Sequence, residues 1–199
     1  VSILRGALKA AEEGAVILAD GTRIECDAVV LCTGYKLHFG RQFDIVGKAG
    51  KTLGETFEPY PFSYEGMLVP GFPNFVLGGG PYSFLVANHA VVSEQKMHYA
   101  VELLQWMVDD GLSSVDVTEE ATRAFVEDVD AELQNSAWVQ CGDAHGYYRD
   151  QGSKVILAIP RHNSRIWHDL RKPREADFTV TRRDDMAPAG EPEVSMLTI

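Results

Sequence analysis

The chain has 199 residues, 45% hydrophobic and 24% charged, an ordinary balance for a soluble globular protein and long enough to bury the core of one domain or a domain and a half. Its net charge of −11 argues against nucleic acid as a partner, because phosphate binding needs a basic surface. No signal peptide is visible, and no apolar run approaches the roughly 18–20 residues that span a membrane.

Taken in chain order, residues 1–5 read as the end of a strand. The start at Val1, inside an apolar run, is what a fragment would show. Residues 7–13 have helix-forming composition but are too few for a convincing helix, and they lead directly into a hairpin. That hairpin is residues 15–18, a tight Asp20-Gly21 turn, and residues 22–26; Asp-Gly supplies the positive φ angles the turn needs. The expected result is a small antiparallel meander. Residues 29–33, Val-Val-Leu-Cys-Thr, follow as an apolar run without polar alternation, which predicts a strand buried on both faces. A long connection, 34–71, carries Pro59, Tyr60, Pro61, Phe62 and Tyr64, and reads as an ordered, functional loop. Residues 75–80 are the second expected buried strand.

A long helix is predicted from about residue 83 or 88 to 110, with Val86, Ala90, Met97, Val101, Leu104 and Val108 at helical spacing and Gly111 as its stop. Thr118 is placed to cap the next helix, Glu119 and Glu120 favour its dipole, and Phe125, Val129 and Leu133 form its buried face. Residues 138–159 read as a short hairpin around a turn at 150–153. From residue 184 the composition predicts a disordered tail.

Charge and cysteine usage add little chemistry. Residues 109–135 hold nine acids against one arginine, a net of −8, and residues 161–183 hold seven Lys/Arg against three acids, a net of +4. The plain reading is an acidic solvated helix face and a basic C-terminal stretch; a phosphate contact by one of the arginines is the alternative. Cys26, Cys32 and Cys141 form no CxxC pair, which argues against a zinc or thioredoxin-like site. A sparse, odd count suits a reducing, cytoplasmic compartment. Cys26 and Cys32 are expected to pack as small hydrophobes on strands. The histidines show no ligand spacing beyond a Glu94/His98 pair on one helix face, and no G-x-S-x-G elbow supports a hydrolase.

The informative motifs are two apolar runs that end in small residues. One ends in Thr33-Gly34; the other ends in Gly78-Gly79-Gly80-Pro81-Tyr82-Ser83 and enters a helix. In open α/β sheets a ligand sits beyond the carboxyl ends of the strands. Glycine lets it approach the backbone, and free N–H groups at a helix start can stabilise an anion or a polarised carbonyl there. The spacing half-matches GxGxxG, with Ser83 in the third place. A long helix occupies the region where that motif's acidic partner on a second strand should be, so this is not the first βαβ unit of a nucleotide fold.

These residues resemble flavin-containing and Baeyer–Villiger monooxygenases. Residues 27–35 resemble the strand of that family ending in Ala-Thr-Gly-Tyr or Ala-Thr-Gly-Phe. Phe72-Pro73-Asn74-Phe75 followed by Gly80-Pro81-Tyr82-Ser83 resembles a Phe-Pro-Asn-Leu-Phe strand running into Gly-Pro and a helix, and Glu94 and Tyr99 sit where that helix often carries Glu and Tyr. Residues 141–159 resemble the C-terminal hairpin of the Baeyer–Villiger branch, and the helix segment is most similar to 4-hydroxyacetophenone-type members. Cys32 replaces the usual Ala, Tyr147 replaces a Trp, and the Trp-Pro-Gly turn is broken. The family's two GxGxxG motifs, the fingerprint between them and the Baeyer–Villiger arginine cannot be located.

The resemblance implies an α/β fold: the C-terminal part of a dinucleotide-binding, Rossmann-like flavoprotein, with a small antiparallel meander and two long helices. Residues 1–183 would complete an FAD-binding domain, 1–5 would end an NADPH domain, and 184–199 would be a tail. It implies FAD and NADPH as cofactors, O₂ and a small organic molecule as substrates, and the N-terminal region of the same enzyme as partner. A ketone, aryl ketones included, is the expected substrate; an N- or S-oxygenating member and a non-catalytic module using the acidic helix are the alternatives. Thr33 and Gly34 would line the flavin side of the sheet. Gly80, Pro81, Tyr82 and Ser83 would face the pyrimidine edge, Asn88 would add a polar contact, and residues 58–64 would border the substrate or nicotinamide side. No residue is assigned a catalytic role, and the chain by itself is expected to be inactive.

Overall fold

The computed structural model describes residues 3–34, 37–84, 89–140, 148–150 and 154–185. The chain divides into two compact units, Val1–Tyr35 and Lys36–Ile199.

The first unit is the expected meander. Strands β1 (Leu8–Glu12), β2 (Ala15–Leu18) and β3 (Arg23–Glu25) are antiparallel in the order β1-β2-β3. The short run at 7–13 is therefore strand, paired with β2 from Leu8 to Glu12. The Asp20 carboxylate accepts the Thr22 N–H at 2.9 Å and holds the turn at Gly21, whose φ of +87° a side chain would resist. Beyond β3 the outcome differs from the sequence reading. Residues 29–33 form no strand: Val30 is 83% and Leu31 69% exposed, Cys32 is exposed and Cys26 only half-buried. A run that is apolar on both faces becomes a strand only when neighbours pair its backbone and layers cover both faces; none of the described residues pairs with it.

The second unit holds the core. Its long connection is structured by α1 (Leu53–Thr56), whose Thr52–Glu55 capping box exchanges two bonds of 3.2 and 2.8 Å. Leu53, Phe57, Val69, Phe72 and Leu77 pack there as a small cluster. Phe75 and Leu77 belong to this cluster, and residues 75–77 form no strand; the Leu77 N–H donates to Met67 O at 2.8 Å and Val76 stays exposed. The second expected strand is thus an extended segment, again without a ladder partner among the described residues.

Helix α2 (His89–Asp109) runs close to its expected limits, ending before Gly111 at φ +62°. Its buried face is Val92, Gln95, Lys96, Tyr99 and Leu103. The apolar positions used to predict the helix point the other way: Met97, Val101, Leu104 and Val108 are 64, 54, 60 and 66% exposed, while Val86 lies outside the described residues. Strand β4 (Leu112–Val117) pairs antiparallel with β7 (Phe178–Arg182), Val115 opposite Val180 and Val117 opposite Phe178. Neither strand is evident in the sequence, because serine, threonine and aspartate interrupt both.

Helix α3 (Glu119–Leu133) matches its reading. The Thr118 hydroxyl accepts the Ala121 N–H at 3.1 Å, and Thr122, Phe125, Val129 and Leu133 are buried. A short helix α4 (Ala137–Gln140) follows, then β5 (Arg149–Asp150), which pairs antiparallel with β6 (Lys154–Val155). Helix α5 (Asn163–Asp169) closes the unit. The tail beyond residue 185 and the turn at 151–153 lie outside the described residues.

Val129 is fully buried on α3, so Val129→Ala is expected to cost about 2 kcal/mol through lost transfer energy and a cavity. Thr118→Ala removes a cap and is expected to cost about 1 kcal/mol. Urea titrations of the two variants check the order; equal losses would mean that α3 does not dock through Val129.

Candidate functional site

The turn 78–84 is gripped from two sides. The Gly80 N–H donates to Gly66 O at 2.9 Å, the Tyr82 N–H to Ile156 O at 2.6 Å and the Phe84 N–H to Leu157 O at 2.8 Å; the Ile159 N–H returns to Phe84 O at 3.0 Å. Phe84 and Ala158 form a parallel bridge, and the Ser63 hydroxyl donates to Pro81 O at 2.6 Å. Parallel pairing at the end of the apolar run is therefore present, but one bridge long.

Tyr82 locks this arrangement. Its φ of +58° is rare for a bulky residue. The strain is offset by burial to 1% exposure and by the phenol, which donates to Asp130 Oδ1 at 3.0 Å. Lys154 binds the other Asp130 oxygen at 2.8 Å and stands 5.8 Å from the Tyr82 ring centroid. Burial first, then the Asp130 carboxylate, raise the phenol's pKa, so it stays a donor at any physiological pH.

Two glycines permit the close approach. A Cβ on Gly80 would lie 2.9 Å from Gly66 O, and one on Gly66 would lie 2.8 Å from Ser83 Cα. Gly78 and Gly79 behave oppositely. A Cβ on Gly78 would meet nothing within 4 Å, and one on Gly79 only Ser83 Oγ at 3.9 Å. Both are exposed, and their N–H groups have no hydrogen-bond partner among the described residues. The sequence expectation of free N–H groups is thus corrected in part: Gly80, Tyr82 and Phe84 use theirs to brace the turn, while Gly78 and Gly79 leave theirs open. A crevice of about 20 Å³ opens here, lined by Gly78, Gly79, Ser83, His89, Ser93 and Lys96. It is too small to enclose a ring, so a planar ligand would lie against the bare backbone rather than enter.

The other expected residues fall elsewhere. Thr33 and Gly34 lie exposed in the first unit, Gly34 at φ +80° with open space where a Cβ would stand. Asn88 lies outside the described residues. Residues 58–62 line a cavity of about 1000 Å³, together with Lys48, Lys51 and the first turns of α3.

Sequence reasoning missed the charges beneath the turn. Glu65 and Lys96 are 8 and 7% exposed, and Lys96 Nζ donates to Gly66 O at 3.3 Å. Desolvation raises the Glu65 pKa from 4.5 to about 7 against the attraction of Arg161, and lowers that of Lys96 from 10.5 to about 7 against the attraction of Glu65. Lys96 was legible as an inner-face position, since Val92, Lys96, Tyr99 and Leu103 recur at helical spacing. Glu65 carried no signal.

The two charge runs also meet. Arg161, nearly buried, pairs with Asp128 and, at 3.1 Å, with Glu132; Arg165 binds the same acids at 3.1 and 2.6 Å. Part of the acidic helix face is therefore paired with the basic stretch rather than solvated.

In the folded chain Glu65 titrates near 7 rather than 4.5, so the stability it contributes is complete below pH 4.5 and is lost as pH rises through 7. Lys96 runs oppositely: its contribution is present above pH 10.5 and is lost as pH falls through 7. Glu65→Gln is therefore expected to gain stability on the wild type between pH 5 and pH 8, by at most about 3 kcal/mol. Thermal melts at both pH values check it; a difference independent of pH would mean that Glu65 is not held in a desolvated site.

No protein-family profile matches the chain. It is 26% identical over 176 residues to an FAD-binding monooxygenase of Dothistroma septosporum, covering 87% of this chain and 28% of that protein. It is 28% identical over 158 residues to Baeyer–Villiger monooxygenase 4 of a Dietzia species, covering 75% of this chain and 26% of that protein. The chain thus spans well under half the length of these relatives. Among solved structures, cyclohexanone monooxygenase of Rhodococcus sp. Phi1 bound to NADP⁺ superposes with a TM-score of 0.70 at 18% identity, over 89% of this chain and 34% of that one. A steroid monooxygenase bound to NADP gives 0.70 at 23% identity, over the same shares of 89 and 34%. A further neighbour, in complex with FAD and NADP, gives 0.66 at 20% identity over 87% of this chain. In sequence this chain is similar to FAD-binding and Baeyer–Villiger monooxygenases, and its fold is that of part of the Baeyer–Villiger flavoproteins.

Proposed function

We propose that the chain is part of an FAD- and NADPH-dependent monooxygenase that inserts one oxygen atom of O₂ into an organic substrate, a ketone before others. The observation that carries this reading is the outward-facing backbone of Gly78 and Gly79, held open on a turn whose neighbours are braced. Without side chains at these two positions a planar ring can approach the backbone itself closely enough to be hydrogen-bonded by it. The bound flavin would accept reducing equivalents from NADPH and activate O₂; the protein supplies position and electrostatics.

The residues divide that work as follows. Gly78 and Gly79 N–H groups and the Ser83 hydroxyl are donors for the polar edge of the ring. The start of α2 adds the positive end of a 21-residue helix dipole. Asn88 is a further polar contact, and the resemblance assigns Thr33 and Gly34 to the flavin as well. Gly80, Pro81 and Tyr82 keep the turn rigid. Residues 58–64 border the substrate or nicotinamide, which is supported by the cavity beside residues 58–62. On this reading residues 1–183 belong to the FAD domain, residues 1–5 end the NADPH domain, and residues 184–199 are a tail. The rest of the enzyme is the N-terminal region, and a sparse cysteine content favours the cytoplasm. Among the described residues no helix is long and apolar enough to cross a membrane.

The test uses the whole reading frame that contains this chain. The purified enzyme, given NADPH, ¹⁸O₂ and an aryl ketone, is expected to form the ester carrying one ¹⁸O. Oxidation of a thioether with no ester from any ketone would move the reading to an S-oxygenating enzyme. Residues 1–199 by themselves, expressed with excess FAD and gel-filtered, are expected to elute without stoichiometric flavin absorbance, because an FAD pyrophosphate needs the strand–turn–helix unit with its complete GxGxxG motif, which cannot be located in this sequence. Yellow protein that oxidises NADPH would overturn that expectation.

A further inference from the structure

Lys96 sits where the proposed flavin reading has no use for an ordinary core residue. It is on the inner face of α2 and is 93% buried, given its 7% exposure. Helical side chains lean toward the N-terminus, and Lys96 lines the crevice together with Gly78, Gly79, Ser83, His89 and Ser93. There its Nζ donates to one neutral acceptor, Gly66 O at 3.3 Å. An ammonium has three donors, and burying it with one satisfied is costly. Methionine would fill a similar volume without that cost.

The contact is also tightly placed. A Cβ on Gly66 would stand 2.7 Å from Lys96 Nζ and 2.8 Å from Ser83 Cα and Cβ, so Lys96, the 65–66 turn and Ser83 meet at one point. Gly66 O accepts both the Gly80 N–H and the Lys96 ammonium. Lys96 therefore holds the carbonyl that holds the glycine turn.

We propose that Lys96 is a positioning residue for the flavin: its ammonium braces the glycine turn through Gly66 O and places positive charge behind Gly78 and Ser83, so that the site binds the reduced, negatively charged ring more tightly than the oxidised one. This rests on the flavin reading above. One charged group, Glu65, acts on Lys96 directly, and the others around it act on Glu65 or share the crevice. Glu65 faces it from the 65–66 turn; Arg161, Asp169 and Arg174 act on Glu65 from beyond β6, from α5 and from the loop after α5; His89 shares the crevice from the first turn of α2. Desolvation leaves Lys96 able to lose its proton near neutral pH, so the preference for reduced flavin falls as pH rises.

The test is spectroelectrochemical titration of the full-length, FAD-loaded enzyme from pH 6 to 9, in the wild type and in Lys96→Met and Lys96→Gln. Gln removes the charge and keeps an N–H donor on a side chain one atom shorter, whereas Met removes charge and donor together. At pH 6 both variants are expected to bind reduced FAD about tenfold less tightly relative to oxidised FAD, about 30 mV lower in midpoint potential for a two-electron couple. The wild-type potential is expected to break in its pH dependence near neutrality, and the variants are not. If Lys96→Met fails to fold by circular dichroism, Lys96→Gln decides. Potentials and pH profiles identical to wild type in a variant that retains FAD would overturn the role of Lys96 and leave the flavin reading standing. A full-length wild type that retains no FAD would overturn the flavin reading, and this inference with it.

Discussion

The structure depends most on how the backbone of residues 80–84 is satisfied. Three N–H groups and one carbonyl of this segment are spent on Gly66, Ile156, Leu157 and Ile159. A buried backbone polar group left unpaired costs about as much as a lost hydrogen bond, so these bonds dictate which loops must meet. They draw the 63–66 turn and the 156–159 segment to the start of α2, and they leave Gly78 and Gly79 as the place where backbone stays open. Tyr82 ties that pairing to α3, because its buried phenol donates to Asp130 while its backbone holds a φ of +58°.

Charge supports the same arrangement at several depths. Asp130 binds both Tyr82 and Lys154, so one carboxylate joins α3, the glycine turn and β6. Asp128 and Glu132 on the same helix take Arg161 and Arg165. Arg161 is the valuable member: its side chain is nearly buried and hydrogen-bonded on both sides, whereas Arg165 is half exposed and adds little. On the far side, the Tyr64 hydroxyl donates to Asp177 at 2.5 Å and accepts from Arg174 at 3.0 Å, tying the turn before Glu65 to the approach to β7. The buried Glu65 and Lys96 sit between these paired groups.

Two sets of large apolar side chains stand open to solvent among the described residues. Met97, Val101, Leu104 and Val108 form an exposed stripe along α2, and Val30 and Leu31 are exposed in the first unit. Such stripes are the faces that elements of a layered α/β fold bury against neighbours. The chain spans 28 and 26% of the two monooxygenase relatives described above, and the segments read as floor strands find no ladder partner among the described residues.

What the sequence by itself determined is local. The Asp20-Gly21 hairpin, the Thr118 cap with Phe125, Val129 and Leu133 behind it, and the helix from residue 89 all follow from turn chemistry, capping and period 3.6, interactions that act within a few residues of chain. Tertiary structure decided the rest. Whether residues 29–33 and 75–80 become strands depends on distant ladder partners, and β4 and β7 are strands because they found each other, 61 residues apart at Val117 and Phe178. Which face of α2 is buried was likewise settled by its neighbours: the helical period marks two apolar stripes, and the core took the one carrying Lys96 and Tyr99. Helical spacing allowed Lys96 an inner-face position, but the burial of Glu65 and the desolvation of both charges could not be read locally, because desolvation is a property of what surrounds a charge and not of the residues beside it in sequence.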